Sequence, residues 1–239
     1  MRRLEMSLPT TEGNLALDEA LLLEAEESSE RGEILRLWEN SCPAVVIGRS
    51  SRIREEVRLD VCQQRAIPVL RRCSGGAAVA IGPGCLMYAV VLSYEQRPWL
   101  RSLENVHGFV LQRVAEAVQR YTSNIRRDGV SDLVCGEMKF SGNSLRCKRR
   151  FLLYHGTLLY DYPLSTVSEL LHMPPRQPEY RAGRAHGSFV TNLGISADDL
   201  RATLSDAWQA DRLCDRWPRA RVRQLVDERY RRDEWHFAR

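Results

Sequence analysis

The sequence predicts an α+β protein built on a mixed, largely antiparallel β-sheet that is flanked by helices. Strand-like and helix-like segments alternate irregularly along the 239 residues, without the strict rhythm of a doubly wound parallel sheet. Hydrophobic residues make up 44% of the chain, which is enough for a sizeable core. No internal repeat divides the sequence, and its length suits a single domain over residues 1–239.

The first quarter of the chain predicts two helices and two strands. Residues 14–27, NLALDEALLLEAEE, have helix-forming residues with acids in the first turns, and Asn14 is a plausible N-cap. Short apolar runs at residues 33–39 and 43–49 predict two strands. Residues 54–66, REEVRLDVCQQRA, predict a second helix.

Residues 67–94 predict two strands joined by a glycine-rich turn. IPVLRR ends one strand at Arg72, and CLMYAVVLSY, residues 85–94, forms the next. In the turn, bare backbone N–H groups stand beside two arginines. The stretch lacks both the G-x-x-x-x-G-K-[ST] spacing of a P-loop and a G-x-G-x-x-G that opens a helix. A tight hairpin and a cradle for an anion both remain open at this point.

Residues 102–146 predict a long helix and a hairpin. The helix, residues 102–121, carries apolar residues at helical spacing along one face. These residues are Val106, Val110, Val114, Ala117, Val118 and Tyr121. In SDLVCGEMKFSGNSLR, residues 131–146, a Cys-Gly-Glu turn joins two strands, and Ser141–Gly142 predicts a further turn. Lys139 lies on a strand just before that second turn.

The remaining segments predict a strand, three helices and one long irregular stretch. FLLYHGTLLYD, residues 151–161, predicts the strand. TVSELL and ISADDL carry capping-box patterns, which predict helices that begin near Thr166 and Ser196. Residues 173–189 contain Pro, Gly and Arg without periodicity, and so long a loop is either functional or mobile. The basic segment 218–235 predicts an amphipathic helix.

Composition and charge narrow the functional classes. Basic side chains exceed acidic ones by four, mostly through arginine, which fits an anionic ligand or an acidic protein partner. We expect no nucleic acid as a partner, because no basic stripe is interleaved with aromatic residues. Apolar runs are too short to span a bilayer, and no signal peptide or lipidation motif is visible. We therefore expect no membrane and a cytoplasmic location, in which the seven cysteines are reduced.

In this order, several segments together resemble one family. They are NLALDEALL, LWENSCPAVVIGR, RRCSGGAAV, DLV…KFSGNSLR, HGTLL and FVTNLGIS, and they extend over nearly the whole chain. The sequence resembles the lipoate–protein ligases, within the wider class of biotin and lipoate protein ligases and octanoyltransferases. The resemblance implies a mixed-sheet catalytic domain and a two-step reaction. Lipoate or octanoate and ATP give an acyl-adenylate, and a lysine of a lipoyl-domain protein then takes the acyl group.

The resemblance also implies roles for the polar residues of these segments. The family's essential lysine corresponds to Lys139, which would neutralise the charge that develops in both steps. Arg72 would hold carboxylate or phosphate oxygens. Asp132 and Ser144 correspond to positions on the adenylate side, and His155 would lie near the acyl end.

Small residues would line the acyl tunnel and present backbone to the nucleotide, because they let the main chain approach a ligand closely. The corresponding positions are Ser74, Gly75, Gly76, Ala77, Ala78, Val79 and Ala80. Trp38 corresponds to an aromatic residue of the tunnel wall, and a place in the core would explain it equally well. The expected cofactors are ATP and lipoate, both as substrates, together with Mg²⁺, and the sequence shows no metal ligands.

Four positions depart from the family's usual SGGGAV-x-HD pattern and the asparagine that follows it. Ala77 replaces the third glycine, Ile81 the histidine, Gly82 the aspartate and Cys85 the asparagine. The lost polar groups leave open a non-catalytic relative that binds lipoyl domains. An ATP-independent transferase is the other alternative, although no cysteine lies where either transferase type carries its nucleophile. A biotin ligase is disfavoured, because its Gly-Arg-Gly-Arg-type loop and DNA-binding domain are missing.

The resemblance has a further consequence for partners. Many ligases of the family carry a large C-terminal accessory domain, and for this sequence we expect no such domain. A separate small accessory subunit is therefore a candidate partner, besides the lipoyl-domain acceptor. If the resemblance holds, residues 71–92 and 132–144 should converge on one elongated cleft, with Arg72 and Lys139 on the same side.

Overall fold

The computed structural model describes residues 1–28 and 32–238, and it has the α+β architecture that the sequence predicts. Its strands are β1 (Arg2–Glu5), β2 (Ile34–Glu39), β3 (Ala44–Ile47), β4 (Val69–Arg71), β5 (Val79–Ile81), β6 (Cys85–Ser93), β7 (Ile125–Asp128), β8 (Asp132–Cys135), β9 (Met138–Cys147), β10 (Phe151–Leu159) and β11 (Arg212–Leu213). Within the described residues, a large sheet has the order β11–β1–β2–β6–β10–β9–β8–β7, and a small one has the order β4–β3–β5. In the large sheet, β1 is parallel to both neighbours and the other pairs are antiparallel.

Both faces of the large sheet are covered, because its central strands are apolar on both faces. All of β6 is buried, and successive side chains of a strand point to opposite faces. Met87 and Ala89 accordingly belong to one hydrophobic core, whereas Leu86 and Tyr88 belong to the other. The near-continuous apolar runs of the sequence therefore mark strands that are packed on both sides.

The helices form the outer layers. They are α1 (Thr11–Glu27), α2 (Ile53–Glu56), α3 (Leu59–Gln64), α4 (Leu103–Val118), α5 (Ser165–Leu170), α6 (Ala197–Ala207), α7 (Arg219–Leu225) and α8 (Asp233–His236). On one face, α1 packs against β6, β10 and α7, and its core also includes the small sheet. On the other face, α4 and α6 pack against each other and close the second core. In the described part of the chain, no helix is long and apolar enough to cross a bilayer.

Side-chain hydrogen bonds define two helix starts. The predicted helix α1 is present but its predicted N-cap is wrong, because Thr10 is the N-cap and its Oγ accepts from the Gly13 N–H at 3.1 Å. Asn14 instead lies inside the helix, where its side chain bonds to the preceding loop. The prediction for α6 is confirmed, since Ser196 Oγ accepts from the Asp199 N–H at 3.1 Å.

Three further predictions need correction. Residues 54–66 form two short helices and not one, because extended backbone at Val57 interrupts them. Tyr121 lies beyond the end of α4 and is exposed, so it does not share the apolar face of that helix. Helix α5 begins at Ser165 without the side-chain cap predicted around Thr166.

The hairpin of β8 and β9 turns at Gly136, as the Cys-Gly-Glu pattern predicts. Ser141–Gly142 forms no turn but lies inside β9, which corrects the second turn prediction. A register shift in this hairpin leaves Phe140 as an extra, unpaired residue. Bulges of this kind redirect neighbouring side chains, and Lys139 lies directly beside this one.

The basic segment 218–235 is not one continuous helix. It consists of α7, a π-helical turn and part of α8, and it folds back onto α1. Arg71, at the end of β4, donates hydrogen bonds to the backbone carbonyls of Trp235 and His236. The segment is thereby attached to the strand that leads into the glycine-rich turn.

Candidate active-site cleft

Two adjoining cavities lie where the small sheet meets β9 and β10. The larger has a volume of 340 Å³ and the smaller 110 Å³. Residues that line both include Ala77, Ala78, Val79, Lys139 and Gly142. The predicted convergence of residues 71–92 and 132–144 on one cleft is therefore confirmed.

Most of the residues singled out in the sequence line this cleft. They are Arg72, Gly76, Ala77, Ala78, Val79, Ala80, Asp132, Lys139, Ser144 and His155. Two others do not line either cavity. Ser74 is buried behind His155, and Gly75 lies on the exposed side of the turn.

Lys139 lies at the junction of the two cavities and is held there by a carboxylate. Its Nζ is 2.8 Å from Asp132 Oδ1, and the side chain keeps 25% of its surface exposed. The Tyr180 hydroxyl donates to the other oxygen, Asp132 Oδ2, at 2.8 Å. Burial and the charge of Asp132 raise the pKa of Tyr180, so this phenol stays protonated and remains a donor. The ammonium group thus faces the cleft in a fixed position.

Arg72 organises the glycine-rich turn from inside. Its guanidinium donates to the backbone carbonyls of Val46, Gly75 and Ala77, and it is buried. Burial lowers its pKa to about 10, against the opposing effect of the Glu56 carboxylate. The group is still charged near neutral pH. In this structure its donors shape the turn, and the expected contact with a ligand anion stays a prediction.

Glycine is required at one position of this turn and at one position of the backbone on which the turn rests. Gly76 has a φ of +87°, which an L side chain adopts only with strain. A Cβ on Gly48, at the end of β3, would lie 1.9 Å from the Gly76 carbonyl oxygen. The turn therefore rests directly on the backbone of the small sheet, and Ser144 Oγ ties it to β9 by donating to the Gly75 carbonyl at 2.8 Å.

A chain of buried polar groups lies behind the turn. Arg36 Nη1 is 2.5 Å from Asp18 Oδ1, and Asp18 Oδ2 is 3.3 Å from His155 Nδ1. His155 Nε2 is 2.6 Å from Ser74 Oγ, which also accepts from Arg72 Nε at 3.1 Å. Burial raises the pKa of Asp18, but Arg36 and His155 outweigh it, so the pKa is lowered and the carboxylate is ionised.

The sequence analysis missed Asp18 and Arg36. Their signal was present, because each is a charged residue among the apolar residues of a helix or strand that is mostly buried. Such a position requires a partner, since an unpaired buried charge is strongly unfavourable. Nothing in the sequence identified which partner it would be.

Apolar side chains line much of each cavity. Those that line the larger one include Leu15, Val46 and Met87. The smaller one is lined by Phe140, Leu159, Val167, Leu171, Phe189 and Val190. Trp38 lines neither cavity and is fully buried in the core, which decides between its two interpretations.

The long irregular stretch also contributes to the cleft. Arg181 is 3% exposed, lies over the Phe189 ring at 4.4 Å and bonds to His186 Nδ1 at 3.2 Å. Burial lowers the pKa of both Arg181 and His186. Glu56 approaches from α2, and its carboxylate accepts from the Ala78 N–H at 2.6 Å. This N–H, which the sequence analysis expected to face a nucleotide, is thus already bonded within the protein.

Three of the four positions that depart from the expected pattern, Ile81, Gly82 and Cys85, lie outside the cleft lining, whereas Ala77 lines both cavities. Ile81 is fully buried in the core, and a Cβ on Gly82 would meet the Pro43 backbone at 3.2 Å. None of the seven cysteines, all of which lie in the described part of the chain, lines either cavity. Burial raises the pKa of Cys73 and Cys85, which keeps these thiols protonated.

Comparison with known proteins identifies sequence relatives. Residues 11–208 match the family model of the lipoyl protein ligase A/B catalytic domain. The chain is 30% identical over 215 residues to a putative lipoate–protein ligase A of Aeropyrum pernix, with 88% of this chain and 76% of that protein covered. It is 24% identical over 247 residues to lipoate–protein ligase A subunit 1 of Thermoplasma acidophilum, with 95% and 92% covered. It spans about half the length, 41% to 52%, of five further curated relatives.

Solved structures resemble the fold along the whole chain. A putative lipoate protein ligase of T. acidophilum with bound lipoic acid has a TM-score of 0.81 at 23% identity, covering 100% of this chain and 99% of that one. A lipoate–protein ligase A bound with ATP has a TM-score of 0.78 at 24% identity, covering 99% and 98%. At these identities the likeness concerns the fold alone.

Proposed function

The chain belongs to the lipoyl protein ligase A/B catalytic-domain family, and we propose that it is an ATP-dependent lipoate–protein ligase. In the first step, a carboxylate oxygen of lipoate or octanoate attacks the α-phosphorus of ATP, and pyrophosphate leaves. In the second step, the amine of a lysine on a lipoyl domain attacks the acyl carbon. The bond from that carbon to the phosphate oxygen breaks, AMP leaves, and the amine loses a proton.

The observation that carries this proposal is the place of Lys139 between two apolar cavities. An acyl-adenylate has an apolar chain on one side of its phosphate and a purine on the other. Its charged centre must therefore lie where two apolar compartments meet. The larger cavity, whose lining includes Leu15, Val46 and Met87, suits the acyl chain. The smaller cavity suits the purine, because aromatic and aliphatic side chains enclose it.

Lys139 would act on charge that appears during both steps. Negative charge builds on the phosphate oxygens and on the oxygen that bridges phosphorus and the acyl carbon. A pre-positioned cation stabilises such charge without reorganisation, and removing one donor of this kind slows catalysis on the order of 10²–10³-fold. The ion pair with Asp132 and the hydrogen bond from Tyr180 supply that pre-positioning.

The cleft does not offer the protein ligands of a resident magnesium site. Mg²⁺ prefers carboxylates and phosphate oxygens in an octahedral arrangement. Asp132 already bonds to Lys139 and Tyr180, and Glu56 already accepts from the Ala78 N–H. Among the described residues, no group of three or more His, Cys, Asp or Glu side chains could hold a metal ion. The steps assigned to this chain's residues therefore run through Lys139, and the phosphate oxygens of ATP and water would supply the ligands of a Mg²⁺ ion that accompanies ATP.

The proposal includes two protein partners. The acceptor is a lipoyl domain, and the exposed rim of the cleft, with Val130 and Arg176, is where its lysine would enter. A separate accessory subunit is the second partner. It is supported by the T. acidophilum relative, which is named as subunit 1 and is matched along nearly its whole length.

The test is a reconstituted reaction of the full chain with lipoate, ATP and an apo lipoyl domain. It is run with and without the small subunit of a two-subunit ligase. We expect pyrophosphate release, an acyl-adenylate detectable by mass spectrometry, and one lipoyl group added to the acceptor. A Lys139→Met variant should slow the appearance of all three signals by about 10²–10³-fold and remain folded. Absence of adenylate and of lipoylated acceptor under both conditions would exclude the proposal.

The same reaction separates the two alternatives. A carrier-dependent transferase would work without ATP and would place a thioester on a cysteine, yet no described cysteine lines the cleft. A non-catalytic relative would bind adenylate or a lipoyl domain without turnover. Intact-mass analysis after incubation with an octanoyl carrier protein tests the first alternative, and single-turnover analysis with pre-formed adenylate tests the second.

A further inference from the structure

We propose that Asp18 is a positioning residue for the acyl end of the cleft, acting through His155 and Ser74 on the glycine-rich turn. The kinetic part of this proposal, an effect on the KM for lipoate, rests on the proposed function. The structural part, the tautomer of His155, does not. The four polar side chains involved come from four separate segments, namely α1, β2, the turn and β10. They are Asp18, Arg36, Ser74 and His155, and each is at most 6% exposed.

The hydrogen bonds that link Ser74, His155 and Asp18 all run in one direction, with Ser74 donating to His155 and His155 donating to Asp18. Asp18 is ionised and can only accept, so His155 must donate its Nδ1–H to it. In the neutral imidazole, Nε2 then carries no hydrogen and accepts from the Ser74 hydroxyl at 2.6 Å. The Ser74 oxygen keeps its lone pairs free, and one of them accepts from Arg72 Nε. The charge on Asp18 therefore fixes the tautomer of His155 and the orientation of the Ser74 hydroxyl.

This series of hydrogen bonds ends on groups that shape the cleft. His155 itself lines the larger cavity, beside the apolar end proposed for the acyl chain. Arg72, fixed by Ser74, holds the backbone carbonyls of Gly75 and Ala77. Without the charge on Asp18, His155 can adopt the other tautomer, and the Ser74 hydroxyl must then turn away from it. His155 and the glycine-rich turn, which contribute to the wall of the cavity, are then no longer held in one orientation.

Stability alone does not explain the buried pair of Asp18 and Arg36. The two side chains are 1% and 0% exposed, and removing both charges from water is costly. Replacing such a pair with well-packed apolar residues is often neutral or stabilising. Arg36 also donates to the backbone and side chain of Asn14 and to the Met6 carbonyl, and it lies over the Trp38 ring at 4.9 Å. Asp18 connects this ion pair to the cleft through its contact with His155.

The structural part is tested by ¹⁵N NMR of the histidine side chains at pH 8, where ordinary imidazoles are neutral. The chain has five histidines, and a His155→Gln variant assigns the signal. We expect the Nδ1–H tautomer in the wild-type chain and a shift toward the Nε2–H tautomer in Asp18→Asn. The matched control is Glu33→Gln, which removes another buried carboxylate, paired with Arg97 at 2.5 Å. The His155 signals should be unchanged in the control.

The kinetic part is tested by the KM values of the ligase reaction. Asp18→Asn and Ser74→Ala both disrupt the neutral hydrogen bond between Ser74 and His155. Loss of such a bond changes an equilibrium on the order of tenfold. Asp18→Asn should therefore raise the KM for lipoate by about that factor and leave the KM for ATP within twofold, whereas a merely destabilised protein would lose kcat alone. Ser74→Ala keeps the buried ion pair intact and should raise the same KM, which preserves the test if Asp18→Asn does not fold.

Two results would overturn the proposal. One is an Nε2–H tautomer of His155 in the wild-type chain, which contradicts the inferred direction even if no ligase activity is found. The other is an unchanged KM for lipoate in both Asp18→Asn and Ser74→Ala, in a chain that is active. Loss of the wild-type reaction itself would exclude the proposed function but leave the tautomer result as an independent measurement.

Discussion

Substitution of Gly48 by alanine is a direct test of whether the glycine-rich turn forms the wall of a functional cleft. The new Cβ would lie 1.9 Å from the Gly76 carbonyl oxygen and 3.0 Å from the Gly75 carbonyl carbon. These atoms are backbone, so no side-chain rotation relieves the overlap. To reach ordinary contact at 3.4 Å, the Gly76 oxygen must retreat by about 1.5 Å.

The turn cannot retreat by this distance without losing hydrogen bonds. Ser51 Oγ donates to the Gly76 carbonyl at 3.2 Å, and Ser144 Oγ and Arg72 both donate to the Gly75 carbonyl. Overpacking of this kind typically destabilises a protein by about 1–3 kcal/mol. A displacement on the order of 1 Å in a substrate-positioning group can reduce activity about 100-fold. We therefore expect a folded but poorly active enzyme.

The assay combines urea unfolding with steady-state kinetics of lipoylation. We expect Gly48→Ala to lose about 1–3 kcal/mol of unfolding free energy and about 100-fold in kcat/KM for lipoate. The control is Gly108→Ala in α4, where an added Cβ meets nothing within 4 Å. Alanine there should stabilise the helix by up to about 1 kcal/mol without affecting kinetics. Wild-type kinetics in a folded Gly48→Ala variant would refute the reasoning.

Three other perturbations have clear expected outcomes. Lys139→Met should reduce the rate of adenylate formation by about 10²–10³-fold, while its partly exposed ion pair accounts for less than about 1 kcal/mol of unfolding free energy. Gly84→Ala should lower the thermal midpoint with unchanged KM values, because φ is +88° and the Cβ would lie 2.2 Å from a backbone oxygen. Burial lowers the pKa of His107, His186 and His236 below 6.5. The unfolded chain then binds more protons, so urea unfolding should show stability falling from pH 7 to pH 5.

The fold was predictable wherever burial follows the local pattern. Strands β6 and β10 appear in the sequence as long apolar runs because both of their faces are covered. Helix ends were predicted less well, because tertiary partners compete for capping side chains. Asn14 has the chemistry of an N-cap, yet in the fold it bonds to the preceding loop and to Arg36, and Thr10 caps the helix instead.

Some residues of the candidate site were likewise predictable from the sequence, and others were not. Lys139 and the glycine-rich turn could be singled out because they form short, ordered motifs. Glu56 and Arg181 could not, since their contribution depends on long-range packing that no local pattern encodes. Asp18 lies within one of the resembling segments, but its role depends on a histidine 137 residues further along the chain.

The departures at Ile81 and Gly82 bear on whether the chain is catalytic or only a binding protein. Ile81 pairs with Ala44 across the small sheet and is fully buried, so a polar side chain there would enter the core of this fold. The apolar residue therefore removes no group from the cleft lining, whose charged side chains are Glu56, Arg72, Asp132, Lys139, Arg176 and Arg181. A protein that only binds lipoyl domains would not need a fixed cation between two apolar cavities. The ion pair that positions Lys139 is thus the feature on which the catalytic and the binding hypotheses differ.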